Sequence, residues 1–117
     1  MSGASSTRPA RLGVRLSDAA RKHLLRHLQA YETIQPFLGL LGSGGHGARA
    51  ERWSLVAYST EQVRTMEAEY LAFGAQLIFD LDGISVALPQ LHLRRQLEGT
   101  AFDIIDGELR LVASLER

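Results

Sequence analysis

The chain has 117 residues, 45% of them hydrophobic, with 13 basic and 13 acidic side chains and therefore no formal net charge. Length and composition indicate one folded domain, and the neutral balance gives no electrostatic basis for binding nucleic acid or an anionic membrane. The sequence contains no cysteine, which excludes disulfides, thiolate zinc sites, cysteine-ligated iron–sulfur clusters and cysteine nucleophiles within this chain.

The N-terminal residues, MSGASSTRPARLG, lack the apolar core of a signal peptide. The sequence also has no apolar run near the roughly 18 residues that a membrane helix requires. We therefore expect a cytoplasmic protein. The small and polar composition of the first residues indicates a disordered tail, so we place an N-terminal tail at residues 1–12 and a single domain at 13–117.

The first regular elements are predicted to be a short strand and a capped helix. Val14–Leu16 is the strand, and Ser17 fits an N-cap because its hydroxyl can accept a hydrogen bond from an amide of the first helical turn. The helix is predicted from about Asp18 to Tyr31. Its apolar residues recur at helical spacing as one stripe, which consists of Ala20, Leu24, Leu28 and Tyr31.

Two histidines of this helix, His23 and His27, are four residues apart and therefore share a face. Such a pair could chelate a divalent metal. The glutamate that usually follows the first histidine of a zinc-binding His-Glu-x-x-His helix is absent, because Leu24 stands there. We favour a structural or solvated role for the pair and keep a metal site as the alternative.

A glycine-rich loop, Gly42–Gly47, follows the predicted strand Phe37–Leu41. It is not a phosphate-binding loop, since no Gly-Lys-Ser/Thr follows, and it lacks the context of a dinucleotide-binding fingerprint. Glycines allow the backbone to adopt positive φ and to approach a ligand or another chain closely. We favour a flexible connector between strands and keep a ligand or chain contact as the alternative.

The next segment is predicted to be a strand followed by a short helix. Arg52–Ser59 is rich in strand formers and should pair with Phe37–Leu41. Thr60 is expected to cap a short helix or helical turn over Glu61–Tyr70, and Gly74 to end it.

Two Asp-Gly dipeptides, at 82–83 and 106–107, predict two hairpins. A tight primed turn needs positive φ at both central residues, which Asp and Gly tolerate. Between the hairpins, Pro89 should stop a strand and start a helical turn over 89–96. The predicted strands are 75–80 and 84–88 for the first hairpin and 101–105 and 108–113 for the second.

The order of these elements, and three short motifs within them, resemble the HesB-like family of A-type iron–sulfur carriers over about residues 14–112. Leu16–Ala20 (LSDAA) is similar to the helix start of the family. Asp82–Val86 (DGISV), with Pro89 beyond it, is similar to its turn and strand. Leu97–Thr100 (LEGT) followed by Phe102–Ile105 (FDII) is similar to its Leu-x-Gly-Thr-x-(Ile)-Asp-Tyr/Phe-Val segment.

The resemblance implies an α+β, HesB-like fold with small mixed or antiparallel sheets, one main N-terminal helix and a short second helix. The expected core consists of Leu16, Leu24, Leu28, Leu38, Leu40, Leu55, Val56, Leu77, Ile78, Phe79, Ile84, Val86, Leu97, Phe102, Ile104, Leu109 and Leu111.

The sequence departs from the family at the metal ligands. The family holds iron or a cluster through a cysteine in Ser-Gly-Cys-Ser-Gly and two more in a C-terminal Cys-x-Cys. Here Gly45 stands in place of the first cysteine, His46 follows it, and the chain given ends at Arg117 without the other two. No residue inherits a family ligand role, and no cofactor is predicted.

The favoured hypothesis is therefore a non-enzymatic relative of these carriers that acts through protein contacts. The resemblance places it as an accessory or regulatory factor linked to iron–sulfur cluster assembly or sulfur metabolism, and it leaves a homodimer open. The candidate contact residues are Gly44, Gly45 and His46 of the loop and Arg94 and Arg95 of the 89–96 passage.

A metal-binding hypothesis is the first alternative. His46 could bind iron or zinc together with His23, His27 or His92, or with a carboxylate such as Glu51, since both metals accept imidazole and carboxylate ligands.

An enzyme is the second alternative. The residue types of a catalytic Ser-His-Asp triad are present, as Ser43, His46 and one of Asp80, Asp82 or Asp103. The sequence has no Gly-x-Ser-x-Gly nucleophile turn, so catalytic residues are not assigned.

Overall fold

The computed structural model describes residues 10–31, 33–45, 50 and 52–115. These residues form two β-sheets and three α-helices, with a 3₁₀ turn before the third helix. The α+β class is therefore confirmed. The strands are β1 (Ala10–Arg11), β2 (Val14–Leu16), β3 (Phe37–Ser43), β4 (Arg52–Tyr58), β5 (Ile78–Leu81), β6 (Ile84–Ala87), β7 (Thr100–Ile105) and β8 (Glu108–Val112). The helices are α1 (Asp18–Tyr31), α2 (Thr60–Ala72) and α3 (Arg94–Leu97), and the 3₁₀ turn is Leu91–Leu93.

Both sheets contain parallel and antiparallel pairs. The five-stranded sheet has the order β1-β5-β6-β3-β4, and the three-stranded sheet has the order β2-β7-β8. In the first sheet, β3 pairs antiparallel with β4 from Phe37 opposite Tyr58 to Ser43 opposite Arg52. The predicted pairing of these two segments is confirmed, and the Gly-rich loop connects their ends.

The two Asp-Gly hairpins form as predicted. Asp82 and Gly83 have φ values of 49° and 97°, and Asp106 and Gly107 have values of 55° and 79°. Positive φ at both central residues is the requirement of a primed two-residue turn. The first turn joins β5 to β6, and the second joins β7 to β8.

The predicted cap of α1 is also present. The Ser17 hydroxyl accepts a hydrogen bond of 3.0 Å from the Ala20 amide and donates one of 2.7 Å to the Asp103 carboxylate. The Ser17 amide donates to the Phe102 carbonyl at 3.0 Å. The start of α1 is therefore fastened to β7, which places the helix against the three-stranded sheet.

The second helix is longer than the sequence interpretation placed it. It runs over Thr60–Ala72, and Ser59, not Thr60, is its N-cap. Ser59 and Gln62 form a reciprocal capping box, in which each side chain accepts from the backbone amide of the other. The adjacent Ser and Thr made the cap ambiguous; the Gln three residues after Ser59 is the feature that resolves it.

The C-terminus of α2 has the expected glycine. Gly74 adopts a φ of 71°, and its amide donates to the Leu71 carbonyl at 2.9 Å while the Ala75 amide donates to the Tyr70 carbonyl at 2.8 Å. These two bonds are those of a Schellman motif. They satisfy carbonyls of the last turn and set the direction of the chain after Phe73.

The main core lies between the two sheets and α1. Phe102 at its centre is fully buried and contacts the Trp53 ring edge-on, with 5.6 Å between ring centroids. Tyr31, which was expected in the apolar stripe of α1, is instead 46% exposed. Buried residues absent from the predicted core include Val14, Trp53, Val63, Leu81, Ala87, Leu88, Leu93 and Ala101.

The first strand begins inside the segment that was predicted to be a tail. Ala10 and Arg11 pair parallel with Phe79 and Asp80 of β5, and the Leu12 amide donates to the Asp80 carbonyl at 3.0 Å. Residues 10–12 thus belong to the folded domain, and residues 1–9 of the predicted tail lie outside the described residues. In the part of the chain that the structure describes, no helix is long and apolar enough to cross a membrane.

Candidate functional site

The segment from Gly42 to Ala50, which contains the Gly-rich loop, is buried at both of its ends. Gly42 and Ala50, at its two ends, are buried, whereas Gly44 and Gly45 are exposed with φ values of 71° and 81°. His46, the predicted metal ligand and contact residue, lies outside the described residues, as does Glu51. The loop therefore combines a buried base with exposed glycines whose backbone conformation disfavours a side chain.

Gln90 fixes the first end of the loop. The Gly42 amide donates to Gln90 Oε1 at 2.6 Å, and Gln90 Nε2 donates to the Gly42 carbonyl at 3.0 Å. A primary amide has a donor and an acceptor in the same arrangement as a backbone peptide unit. The side chain therefore satisfies both polar groups of this buried residue as a neighbouring strand would.

Gln96 fixes the second end in the same way. The Ala50 amide donates to Gln96 Oε1 at 2.7 Å, and Gln96 Nε2 donates to the Ala50 carbonyl at 3.0 Å. Both glutamines belong to the short passage between β6 and β7. This passage, Gln90–Gln96, therefore lies beside the loop and holds both of its ends.

Gly42 is also required by close packing. A Cβ atom at this position would lie 2.6 Å from Ala50 Cβ and 2.8 Å from Leu93 Cδ1, distances that real Cβ atoms do not reach. Trp53 lies below the same point, with its indole Nε1 buried and without a hydrogen-bond partner among the described residues. The base of the loop is thus packed tightly against the core on one side and the passage on the other.

The two arginines of the passage have different surroundings. Arg94 donates from Nε and from its terminal nitrogen to the Leu88 carbonyl, at 3.2 and 2.6 Å, and its guanidinium lies 4.7 Å from the centroid of the Phe79 ring. Burial lowers the pKa of Arg94, and the nearby Tyr70 opposes this by raising it. Arg94 therefore connects the passage to the five-stranded sheet, whereas Arg95 is exposed.

The histidines of α1 belong to no group of three or more potential metal ligands among the described residues. No group of three or more His, Cys, Asp or Glu side chains is close enough to hold a metal in the ranges that the structure describes. The Nε2 atom of His27 is buried without a hydrogen-bond partner there, and its ring lies 5.0 Å from that of Tyr31. His27 is therefore partly buried against its neighbours, and His92 is an exposed residue of the 3₁₀ turn.

The environment of His27 predicts the direction of its titration. Burial, and to a lesser degree the charge of His23, lower the pKa of His27 from its ordinary value of 6.5. The folded state then binds this proton less readily than the unfolded state. We expect the stability that depends on neutral His27 to be complete above pH 6.5 and to be lost as the pH falls toward the lower folded pKa. An NMR titration should give a midpoint for His27 below pH 6.5. A His27→Gln variant should not show the loss of stability that protonation of His27 causes in the wild type. A midpoint above pH 6.5 would contradict the packing described.

The aspartates of the hypothetical triad have structural contacts. Asp80 accepts a hydrogen bond of 2.7 Å from a turn amide of the first hairpin. Asp82 accepts one of 3.0 Å from a β2 amide and one of 2.9 Å from an arginine of α1. Asp103 accepts the hydroxyl hydrogen bond from the cap of α1. These three carboxylates connect elements of the fold, and Ser43 is an exposed residue at the end of β3.

The sequence matches no protein-family model, and no curated protein or solved structure matches it significantly.

Sequence reasoning selected the loop and the 89–96 passage separately but did not identify Gln90 and Gln96 as the residues that join them. The glutamines are six positions apart in a short helical passage, and the groups that they bind are main-chain atoms more than forty residues away. A polar residue flanked by buried leucines, as Gln96 is by Leu93 and Leu97, is the one signal that could have indicated an inward-facing amide.

Proposed function

We propose that this chain is a non-enzymatic protein-binding factor, related to the A-type iron–sulfur carriers, whose contact surface is the Gly-rich loop together with the Gln90–Gln96 passage. The partner is proposed to be a protein of iron–sulfur cluster assembly or sulfur metabolism. We call this surface, which consists of Gly42–Gly45, Ala50 and Gln90–Gln96, the loop platform.

The observation that carries the proposal is that Gln90 and Gln96 each bind the backbone amide and carbonyl at one end of the loop. We call these two sets of contacts the glutamine clamps. Two segments that were selected independently as contact surfaces are adjacent, and one holds both ends of the other through four hydrogen bonds of 2.6–3.0 Å. A loop whose ends are fixed loses less conformational entropy when a partner binds it. Exposed Gly44 and Gly45 allow a partner's backbone to approach closely, because they carry no side chain.

The charge of the protein is consistent with a protein partner. The formal net charge is zero, and the described ion pairs connect neighbouring elements or residues of this chain, as between Arg21 and Asp82. Recognition of a phosphate backbone depends on a local excess of Lys and Arg. On the loop platform, Arg95 is an exposed cation that can add a charged contact at the rim of a largely uncharged surface.

The relation to the carriers is supported by the sequence motifs and by the arrangement of elements that those motifs predicted. Leu16–Ala20 starts α1, Asp82–Val86 forms the turn and strand of a hairpin, and Leu97–Thr100 leads into β7. The proposal differs from a carrier function in its chemistry, since a chain without cysteine cannot supply thiolate ligands to a cluster.

Anaerobic reconstitution with iron and sulfide separates this proposal from the metal-binding alternative. We expect the purified full chain to retain no stoichiometric iron or acid-labile sulfide after desalting, and His46→Ala to behave identically. The histidine resonances should also remain unchanged on titration with zinc or iron(II).

Stoichiometric iron in the wild type that is lost in His46→Ala would overturn the proposal. It would mean that the Gly-rich loop holds a metal without cysteine, with imidazole as a ligand. A His23→Gln variant is the matched control, because it removes an imidazole from α1 and leaves the loop unchanged.

A further inference from the structure

One face of α1 is basic. Lys22, His23 and Arg26 follow Ala19 at positions i+3, i+4 and i+7, which is the spacing of a continuous stripe on a helix. Lys22 and Arg26 are exposed, and His23 is half-buried. Because Lys22 and Arg26 are four residues apart, their charges repel each other on the helix surface.

This basic stripe forms one wall of a groove of about 440 Å³. Gly107, in the turn between β7 and β8, lies on the other side, and Ile104 of β7 contributes an apolar side chain. A Cβ atom on Gly107 would meet nothing within 4 Å apart from its chain neighbours, so the turn leaves that side of the groove open. The volume lies in the range of small-molecule sites, about 300–1,000 Å³. We call this site the α1 groove, and it is lined by Ala19, Lys22, His23, Arg26, Ile104 and Gly107.

The basic side chains of the α1 groove are not neutralised by the fold. In the ranges that the structure describes, no carboxylate oxygen lies within 4.0 Å of a nitrogen of these three side chains. Glu108, on the strand after the turn, pairs with Arg110 at 2.9 Å, and Asp103 accepts a hydrogen bond from the cap of α1. Asp106, in the turn itself, forms no ion pair with the stripe. An anion in the groove would therefore meet cations without a competing carboxylate and would relieve their mutual repulsion.

We propose that the α1 groove binds a small organic phosphate monoester. The phosphate lies between Lys22 and Arg26 with the His23 imidazole as a further donor, and the organic part of the ligand covers Ile104. A phosphate monoester carries nearly two negative charges and three acceptor oxygens at neutral pH, which matches two permanent cations and an imidazole. A monocarboxylate carries one charge and matches them less well.

The overall charge of the protein favours a small ligand. The formal net charge is zero, so the positive potential at the α1 groove is local. Nucleic acids and anionic membranes are bound through extended surfaces with an excess of Lys and Arg. A single groove with two permanent cations suits one phosphate group.

NMR titration of the full chain with phenyl phosphate tests this proposal, because the probe combines a phosphate monoester with an apolar ring. We expect saturable one-site shifts of α1 and of the β7–β8 turn, with a dissociation constant in the millimolar range or below. Inorganic phosphate should shift the same residues with lower affinity, since it has no apolar part. Benzyl alcohol, which has the ring without the charge, should leave them unchanged.

Two double variants with the same net charge provide the control. Lys22→Gln/Arg26→Gln removes both permanent cations of the groove and keeps residues of similar helix propensity. Arg15→Gln/Arg64→Gln removes two exposed arginines from β2 and α2. The first variant should bind phenyl phosphate at least about 10-fold more weakly, since hydrogen bonds to charged groups are lost, and the second should bind it as the wild type does. Circular dichroism should show both variants to be folded.

Absence of saturable shifts in the wild type at millimolar phenyl phosphate would overturn the proposal. Equal losses of affinity in the two double variants would also overturn it, because the attraction would then come from net charge alone. A wild type that binds phosphatidic acid vesicles but not phenyl phosphate would likewise contradict it, because the groove would then contact a membrane. None of these outcomes bears on the loop platform, because the glutamine clamps contain none of the substituted residues.

Discussion

Replacing Phe102 by alanine is expected to lower the free energy of unfolding by about 3–5 kcal/mol, the usual cost of deleting a buried aromatic side chain. Phe102 is the largest of the fully buried side chains and has an exposed fraction of 0%. It lies at the centre of β7, opposite Leu16 of β2 and Leu111 of β8. The substitution therefore removes packing where the small sheet, α1 and Trp53 meet.

Phe73→Ala is the matched control, since it deletes the same atoms from a side chain that is 84% exposed. Its effect on the free energy of unfolding should lie within about 0.5 kcal/mol. Urea denaturation monitored by circular dichroism measures both variants. Equal effects of the two substitutions would contradict the position of Phe102 in the core.

The second large effect is expected from removing both glutamine clamps. In the double variant Gln90→Ala/Gln96→Ala, the amides and carbonyls of Gly42 and Ala50 lose their partners. An unsatisfied buried backbone group costs about 1–3 kcal/mol, and four such groups lose their partners, so the free energy of unfolding should fall by about 4 kcal/mol or more. Hydrogen exchange of the Gly42 and Ala50 amides should become faster by a larger factor than exchange in α2.

Gln29→Ala is the control for this double variant, because Gln29 is exposed on α1 and the same substitution there should be nearly neutral. The single variants add a further test. Gln90→Ala should release the Gly42 amide and leave Ala50 protected, and Gln96→Ala should do the reverse. Unchanged protection of both amides would show that the clamps do not hold the loop.

Much of the fold was predictable because its signals are local. The hairpins at Asp82 and Asp106 depend on two adjacent residues that tolerate positive φ. The start of α1 depends on Ser17 and the amide three residues later. In each case the stabilising interactions are made between residues only a few positions apart, so a short sequence pattern is enough to predict the structure.

The features that were missed depend on contacts between distant segments. β1 forms because residues 10–11 pair with the edge of β5, which is almost seventy residues away in the sequence. The composition of these residues alone is that of a tail. Trp53 is buried because its face of β4 lies against the core between the sheets, and its neighbours Arg52 and Ser54 are exposed because successive strand residues point to opposite faces. Local propensity does not contain these long-range contacts.

The candidate site was predictable in its parts and not in its assembly. Gly44 and Gly45 could be selected from composition, and Arg95 from its place in a polar passage. Arg94 is an arginine like its neighbour Arg95, but its guanidinium donates to the Leu88 carbonyl. This difference between the two arginines depends on the path of the chain after β6. The same path brings Gln90 and Gln96 to the two ends of the loop.

Photo-crosslinking from position 95 tests protein contact by the loop platform most directly. A benzoylphenylalanine replaces Arg95 in the full chain inside its native cells, and the same group replaces exposed Arg64 of α2 as the control. We expect a discrete adduct with a protein of cluster assembly or sulfur metabolism from position 95 and not from position 64. A Gly45→Val substitution should abolish it, because Gly45 has a φ of 81° that a β-branched residue does not adopt. No adduct from position 95, or an adduct that Gly45→Val leaves unchanged, would contradict the account.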